Sequence, residues 1–358
     1  MRRIFISFTI TPFSFPAAPS FTNCWKKFLR TVNVETARRQ RWQNSPREND
    51  IRRGALFACM AIMLGGCTTF PAPLLVEHPP ASVAPAPFAL GARPVALVLS
   101  SGAARGFAHI GVIKALEEHG LKPDLVVGAS AGSMIGALYA SGLTAAELEK
   151  AIGEMDGAIF TDFVLPRFGI LPGELGFVRG DKLHRFIDQR AKHHRIEEFP
   201  IRFAAVATQL FSGKPVAFNA GDVGLAVLAS SAAPGLVSPV GLNGEYYADG
   251  QIASPLPIAI ARGLGAKIVI AVDVVYPPED AVMTNPLRVL FQAFTIATYR
   301  LKQQEAAGAD LVIVPELGRT SGQWGFSERE RLVAAGYEAA RKRLPEIKAI
   351  LSPGRQAP

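Results

Sequence analysis

The segment 128–132, with the sequence Gly-Ala-Ser-Ala-Gly, limits the folds open to this chain more than any other feature. An apolar run at 125–127 before it predicts a buried strand, and an apolar run at 134–139 after it predicts a buried helix. A G-x-S-x-G sequence between a strand and a helix is typical of a nucleophile elbow, and it also fits an ordinary strand-to-helix turn. In an elbow, Ser130 is the exposed nucleophile, and the sharp turn depends on two residues without side chains, Gly128 and Gly132.

Strand-like and helix-like segments alternate from residue 95 to about residue 350. This alternation predicts an α/β fold with layers around a largely parallel sheet. Strands are predicted at 95–99, 125–127, 203–207, 245–248, 268–274 and 311–314. A helix is predicted over 111–118. Two more are predicted to begin at capping-box patterns that start at Thr144 and Ser327, the second running to Arg343.

The first part of the chain predicts a membrane-targeted leader. Two arginines at 52 and 53 precede an uncharged apolar run at 54–64, which is too short to span a bilayer but is typical of a secretory signal. The run ends in Leu-Gly-Gly-Cys, which resembles the lipobox of bacterial lipoproteins. The resemblance implies that residues 1–66 are removed and that Cys67 carries a lipid anchor. With Thr68 next in the chain, it implies an outer-membrane protein that faces the periplasm.

Composition sets the limits of this leader and of the segment after it. Residues 1–50 are longer than the usual approach to such a signal, which indicates an overcalled start or a long leader; a buried apolar helix is the alternative to the signal. Residues 67–94 contain seven prolines, which predicts an extended tether before a folded domain at 95–350. No cysteine follows Cys67, which excludes a disulfide framework and a cysteine metal site from that domain.

The net charge of +8 is confined to the leader. Residues 1–53 contain eleven basic and three acidic side chains, whereas the rest of the chain has equal numbers of each. A domain without net charge has no long-range attraction for a polyanion. We therefore exclude nucleic acid as a partner.

A loop of small residues at 100–106 precedes the first predicted helix. Acyl transfer by a serine needs hydrogen-bond donors for the developing oxyanion. The small residues let the backbone approach a substrate closely, and amides at a helix N-terminus point towards negative charge. A phosphate-binding loop is the alternative, but neither G-x-G-x-x-G nor G-x-x-x-x-G-K occurs here. The loop is therefore a candidate oxyanion hole.

The base that would activate Ser130 is predicted to be a carboxylate. The chain has six histidines, at 78, 109, 119, 184, 193 and 194, and none follows residue 194, whereas an α/β-hydrolase places its acid and then its histidine after the serine. The last three lie among basic residues typical of a solvated helix face, and His109 is predicted to pack under the first helix. Asp249, Asp273 and Asp124 each border a predicted strand and stay open as alternatives.

Three blocks of the chain resemble the patatin-like phospholipase family, in the family's order. Residues 101–106, Ser-Gly-Ala-Ala-Arg-Gly, are similar to its oxyanion loop, G-G-G-x-[KR]-G. Residues 128–132 match its elbow, and Asp249 with the glycine after it matches its D-G-[GA]. Residues 229–240 look like the family's approach to its catalytic aspartate. The resemblance covers residues 93–350.

The resemblance implies a three-layer α/β fold with a central, mostly parallel sheet and helices on both faces. It implies that Ser130 attacks an ester carbonyl, that Asp249 accepts the Ser130 proton, and that water hydrolyses the resulting acyl-enzyme. The oxyanion hole would be formed by Gly102, Ala103, Ala104, Arg105 and Gly106, with Arg105 helping to fix the loop. No metal or other cofactor is expected, and the expected substrates are phospholipids or lysophospholipids.

Several positions depart from the family pattern or leave alternatives open. Ser101 and Ala103 stand where the family usually has Gly, and an alanine at 103 is strained if its φ is positive. Gln251 follows Asp-Gly in place of Gly or Ala. Two other functions stay open: a general esterase or thioesterase on small acyl substrates, and a catalytically weak binding protein with this fold. The apolar segment 159–177, broken by prolines and glycines, is either a lid or acyl-pocket wall or a surface loop.

Overall fold

A mixed, mostly parallel sheet with helices on both faces forms the centre of the protein. The computed structural model describes residues 81–82, 88, 90–154, 161–164, 175–278, 284, 286–318 and 326–352. The predicted leader, Cys67 and most of the 159–177 segment lie outside these residues. Among the described helices, none combines the length and the apolar character needed to cross a bilayer.

Nine strands form one sheet in the described part of the chain. They are β1 (Ala81–Ser82), β2 (Val95–Leu99), β3 (Leu125–Ala129), β4 (Arg202–Gln209), β5 (Pro215–Ala220), β6 (Val240–Leu242), β7 (Glu245–Asp249), β8 (Ile268–Val272) and β9 (Leu311–Ile313). Strands β4, β3, β2, β8 and β9 lie side by side in that order and run parallel. Strands β5 and β1 extend the sheet antiparallel beyond β4, and β7 pairs antiparallel with β4 and β6. The carboxyl ends of the parallel strands therefore share one edge.

Helices cover both faces of this sheet. The α-helices of the described residues are α1 (Phe107–Glu118), α2 (Ala131–Ala140), α3 (Ala145–Gly153), α4 (Asp181–Arg190), α5 (Val223–Ser230), α6 (Ile258–Gly263), α7 (Pro286–Ala306) and α8 (Arg329–Leu351). Alternate residues of β2 enter different cores: Leu97 and Leu99 share one with α1, α2 and α5, whereas Ala96 and Val98 share the other with α6. A sheet buried on both faces needs apolar residues at successive positions, which explains the continuous apolar runs in its strands. The predicted three-layer α/β fold is confirmed.

The predicted strands are all present, and one of the two predicted capping boxes is correct. At the start of α3, the Thr144 hydroxyl accepts a hydrogen bond from the Glu147 amide at 3.3 Å, and the Glu147 carboxylate accepts one from the Thr144 amide at 2.8 Å. The capping box at Ser327 is wrong, because Ser327 lies in a 3₁₀ turn and α8 begins after it at Arg329.

Helix α8 also continues past Arg343, the predicted end, to Leu351. The added turns pack on the core, since Leu344 and Ile347 are buried. A Cβ placed at Gly336 would lie 1.9 Å from the Ala108 carbonyl oxygen, and one at Gly111 would lie 1.9 Å from the Val333 carbonyl oxygen. The backbones of α8 and α1 therefore touch at these two positions.

The domain makes contacts upstream of Val95, within the segment predicted to be a tether. Strand β1 pairs with β5, and the Phe88 amide donates to the Leu264 carbonyl at 3.1 Å. Phe88 and Leu90 pack on the core that contains α6. Because these apolar side chains pack on the domain, the end of the proline-rich segment nearest Val95 is part of the fold.

Candidate active site

Ser130 occupies a strained turn between β3 and α2. Its backbone lies at φ 52° and ψ −122°, a region that L residues rarely adopt. A Cβ at Gly128 would lie 2.3 Å from the Gly132 carbonyl oxygen, and one at Gly132 would lie 2.1 Å from the Leu99 carbonyl oxygen. Both glycines of the elbow are therefore required by close backbone contacts, and the turn brings Ser130 to the carboxyl edge of the sheet.

The structure brings Ser130 and Asp249 together. Asp249 is the last residue of β7, and the Ser130 Oγ donates a hydrogen bond to its Oδ2 at 2.8 Å. The other carboxylate oxygen, Oδ1, accepts from the Gln251 amide at 2.9 Å. The Thr208 hydroxyl donates to the Asp249 carbonyl at 2.9 Å. Gln251, which departs from the family pattern, thus orients the carboxylate through its backbone, so its side chain is not needed for this contact.

The surroundings of Asp249 bring its pKa close to neutral. Its side chain is buried, with the residue only 2% exposed, and this burial raises its pKa from 3.8 to about 7. The hydrogen bonds from the Gln251 amide and the Ser130 hydroxyl act in the opposite direction, because they favour the carboxylate. A carboxylate with such a pKa can take a proton from a hydroxyl 2.8 Å away and return it later.

The other predicted carboxylates lie elsewhere. Asp124 is exposed and accepts from the Val95 amide at 2.8 Å, at the opposite end of β3 from Ser130. Asp273 is buried in an ion pair with Lys302, which docks α7 onto the end of β8. Neither hydrogen-bonds to Ser130 among the described contacts.

None of the described histidines supplies a base to Ser130. His109 is buried in α1, with its Nε2 3.0 Å from the Ser100 carbonyl oxygen, and burial lowers its pKa to about 4. His184 contacts Asp222 and His193 contacts Asp188, both away from the elbow. The described residues also contain no group of three or more His, Cys, Asp or Glu side chains arranged to hold a metal ion.

The loop between β2 and α1 reaches the same edge of the sheet. A Cβ at Gly102 would lie 2.7 Å from the Val274 carbonyl oxygen, and Ala103 has φ 47°, so the strain foreseen for a positive φ at this position is present. Within the described residues, the amides of Gly102, Ala103 and Ala104 donate to no protein group.

The side chain of Arg105 holds this loop in place. Its Nε donates to the Val274 carbonyl at 3.1 Å, and its guanidinium lies 4.9 Å from the centre of the Tyr276 ring. Arg105 is buried, so its guanidinium is shielded from solvent. Gly106 ends the 3₁₀ turn that starts at Ala103, and a Cβ on it would lie 2.6 Å from the Ala131 Cβ beside the elbow.

Three residues that support the site were not predicted from the sequence. Ser230 contacts the Ser130 amide, Thr208 contacts the Asp249 carbonyl, and Glu305 of α7 accepts from the Leu256 amide at 2.8 Å, seven residues after Asp249. Burial raises the pKa of Glu305 to about 7. The only sequence signal for any of them is that Ser230 lies in the 229–240 block, which resembles the family.

The described ends of the 159–177 segment contact residues 178 and 236. Phe163 forms a bridge with Val178, and the Phe177 amide donates to the Leu236 carbonyl at 2.8 Å. Phe163 and Phe177 are exposed. The prediction of a lid or acyl-pocket wall falls mostly on residues outside the described part of the chain and stays a prediction.

The fold and site define a three-layer α/β protein in which a serine elbow faces a buried carboxylate. Residues 97–262 match the family model described as patatin-like phospholipase. A Mycobacterium tuberculosis protein named as an uncharacterized NTE family protein is 38% identical over 196 residues, which cover 53% of this chain and 52% of the relative. The lysophospholipase nte1 of Aspergillus fumigatus is 35% identical over 189 residues, which cover 51% of this chain and 12% of that protein. The chain therefore carries a domain of the patatin-like phospholipase family.

The matches to whole proteins are partial. The chain spans about half the length of its mycobacterial relative and a far smaller part of the fungal one. VipD from Legionella pneumophila, whose crystal structure is known, has 16% sequence identity to this chain. The two structures align with a TM-score of 0.44 over 75% of this chain and 70% of VipD.

Proposed function

We propose that this protein is a serine lipid acyl hydrolase that cleaves carboxylic esters of phospholipids or lysophospholipids. The observation that carries the proposal is the 2.8 Å hydrogen bond from the Ser130 Oγ to the Asp249 Oδ2. A hydroxyl that donates to a buried carboxylate with a pKa near 7 has both the position and the proton acceptor that nucleophilic attack requires.

The reaction proceeds in two displacements. In the first, the Ser130 Oγ forms a bond to the ester carbonyl carbon while its proton moves to Asp249, and the carbonyl electrons move onto the oxygen. The ester C–O bond then breaks, and the leaving alcohol takes the proton from Asp249. In the second, water attacks the acyl-enzyme, Asp249 accepts the water proton, and the Ser130 Oγ regains a proton as the fatty acid leaves.

The oxyanion is expected to bind the 102–104 amides. The Ser130 amide already donates to Ser230, so the nucleophile's own amide is occupied. The amides of Gly102, Ala103 and Ala104 have no protein acceptor within the described residues, and the loop is held by Arg105. Losing one such donor typically costs roughly 3 kcal/mol of transition-state stabilisation.

The lipid substrate class rests on the family of the domain and on its similarity to the fungal relative, which is named a lysophospholipase. A lipid anchor would hold the domain beside such substrates in a membrane.

We also propose that Cys67 carries this lipid anchor, as implied by the Leu-Gly-Gly-Cys sequence. Growth with a labelled fatty acid should label the wild-type protein and not a Cys67→Ser variant; equal labelling of the two would contradict the anchor.

Fluorophosphonate labelling tests the chemistry, because such probes react covalently only with an activated serine. Wild-type protein should be labelled, and Ser130→Ala and Asp249→Asn should not. Ser141→Ala is the matched control, since the Ser141 hydroxyl donates to the Leu138 carbonyl at the end of α2. Labelling that survives in Asp249→Asn would show that Asp249 is not the base.

Turnover of substrates tests the specificity. Long-chain lysophospholipid should be hydrolysed faster than a short-chain ester or a thioester at equal concentration. Faster turnover of the short-chain substrates would support a general esterase instead. A folded protein that is neither labelled by the probe nor active on any ester would support a binding protein.

A further inference from the structure

The strained backbone of Ser130 is held from the end of α5. The Ser130 amide lies 3.0 Å from the Ser230 Oγ and 3.2 Å from the Ser230 carbonyl oxygen, and it donates to both. An unusual φ at an active site persists only where neighbouring contacts hold it in place. The two Ser230 oxygens are the described acceptors for this amide.

The Ser230 hydroxyl is itself oriented by the central sheet. It is completely buried and donates to the Val206 carbonyl at 2.6 Å. Val206 pairs with Ala129, the residue before the nucleophile, in the β3–β4 register. Because the hydroxyl proton is committed to Val206, the oxygen lone pairs point towards the Ser130 amide, and the hydroxyl links the elbow to β4.

The same short segment also holds the other member of the pair. The Asp249 amide donates to the Ala232 carbonyl at 3.0 Å, two residues after Ser230. Gly250 packs on the Val206 carbonyl that Ser230 contacts, since a Cβ on it would lie 2.0 Å from that oxygen. Residues 230–232 therefore contact the backbones of both Ser130 and Asp249, which come from elements 119 positions apart in the chain.

We propose that Ser230 is a positioning residue, whose hydroxyl fixes the elbow amide so that the Ser130 Oγ stays within hydrogen-bond reach of Asp249. The assignment rests on the proposed function, because it concerns the same reactive pair. It also explains why the Ser130 amide does not serve the oxyanion. An alanine at 230 removes the directed acceptor and leaves only the weaker 3.2 Å contact to the carbonyl oxygen.

The variants to compare are Ser230→Ala, Ser230→Thr and Ser231→Ala in the full chain. Ser231 is the matched control, because it is the next residue, is also buried, and its hydroxyl makes no hydrogen bond in the described part of the chain. For each variant, three quantities are measured: the rate constant of fluorophosphonate labelling, kcat and KM on one soluble ester, and the thermal midpoint.

Ser230→Ala should lower kcat and the labelling rate constant by roughly 10- to 100-fold with KM unchanged, the loss expected for a misplaced reacting group. Ser230→Thr should recover most of the loss, and Ser231→Ala should stay within about twofold of wild type. If Ser230→Ala does not fold, Ser230→Cys, which keeps the volume but has a weak donor, should show the same loss.

Three results would overturn the positioning role. They are wild-type kcat and labelling rate in folded Ser230→Ala, an equal loss of both in Ser231→Ala, and a loss that is fully explained by a smaller folded fraction. The proposed function fails separately. If wild type is labelled but cleaves no lipid ester, the substrate class is wrong and the positioning role still stands or falls by the labelling rates. If folded wild type is not labelled, both proposals are overturned.

Discussion

Replacing Asp249 by asparagine should stabilise the protein at alkaline pH while abolishing its reactivity. Burial raises the Asp249 pKa from 3.8 to about 7, so the folded state keeps a proton over a pH range in which the unfolded chain has lost it. The stability of the wild type therefore falls as pH rises from about 4 to about 7 and is constant above that. A shift of about 3 pKa units corresponds to about 4 kcal/mol at pH 8.

Asparagine removes the free-energy cost of ionising a buried side chain at 249 and keeps the hydrogen bonds to Gln251 and Ser130. Its Oδ1 can accept from the Gln251 amide, and its Nδ2 can donate to the Ser130 Oγ in place of the reverse bond. At pH 8 the variant should be more stable than wild type by about 4 kcal/mol, which raises the thermal midpoint by roughly 10 °C. At pH 4 the two proteins should be equally stable, because the aspartate is then protonated in the folded state.

The assay is thermal unfolding of wild type and Asp249→Asn at pH 4 and pH 8, with labelling measured in parallel. Asp273→Asn is the control of opposite sign. It removes the charge that pairs with the partly buried Lys302, and loss of one partner of a largely buried ion pair costs about 3 kcal/mol. A midpoint of Asp249→Asn at or below wild type at pH 8, or an equal advantage at both pH values, would show that the buried charge of Asp249 does not destabilise the folded protein.

Three further predictions follow from the geometry. The labelling rate of wild type should rise about 100-fold between pH 5 and pH 8 with a midpoint near 7, because only the Asp249 carboxylate accepts the proton; a flat profile would contradict this role. Ala103→Gly should relieve the positive φ and stabilise the fold by roughly 1 kcal/mol, whereas Ala104→Gly in the same turn should destabilise it, as compared by thermal midpoints. Gly132→Ala should destabilise by at least about 3 kcal/mol, because its Cβ would meet a carbonyl oxygen at 2.1 Å, while Gly153→Ala has open space and should unfold like wild type in urea.

The parts of the fold that the sequence predicted are those with a local physical signal. The elbow around Ser130 needs two glycines at fixed spacing, the strands are apolar because the sheet is buried on both faces, and Thr144 finds its capping partner three residues away. Ser327 carries the same local pattern as Thr144 but lies in a 3₁₀ turn, and α8 begins after it at Arg329. Helix α7 was not predicted, although its Lys302 pairs with Asp273 at the end of β8 and its Glu305 accepts from the Leu256 amide.

The supporting residues of the site have no local signal at all. Ser230 acts on a residue 100 positions earlier, and Thr208 acts on one 41 positions later. Each is a small polar residue in a buried segment, and nothing near it in the chain distinguishes it from a neighbour such as Ser231, whose hydroxyl makes no described hydrogen bond. Such contacts exist only once β3, β4, α5 and β7 have assembled.

Several local choices that cost this chain stability lie at or beside the site. Ser130 and Ala103 have positive φ values of 52° and 47°, and burial raises the pKa of Asp249 and of Glu305 to about 7. Ser130, Ala103 and Asp249 lie in segments that meet at the carboxyl edge of the sheet, whereas the two apolar cores on its faces supply the stability that offsets these costs. A chain that relaxed these choices would be more stable, but it would lose the charge on Asp249 or the turn that holds the Ser130 Oγ 2.8 Å from it.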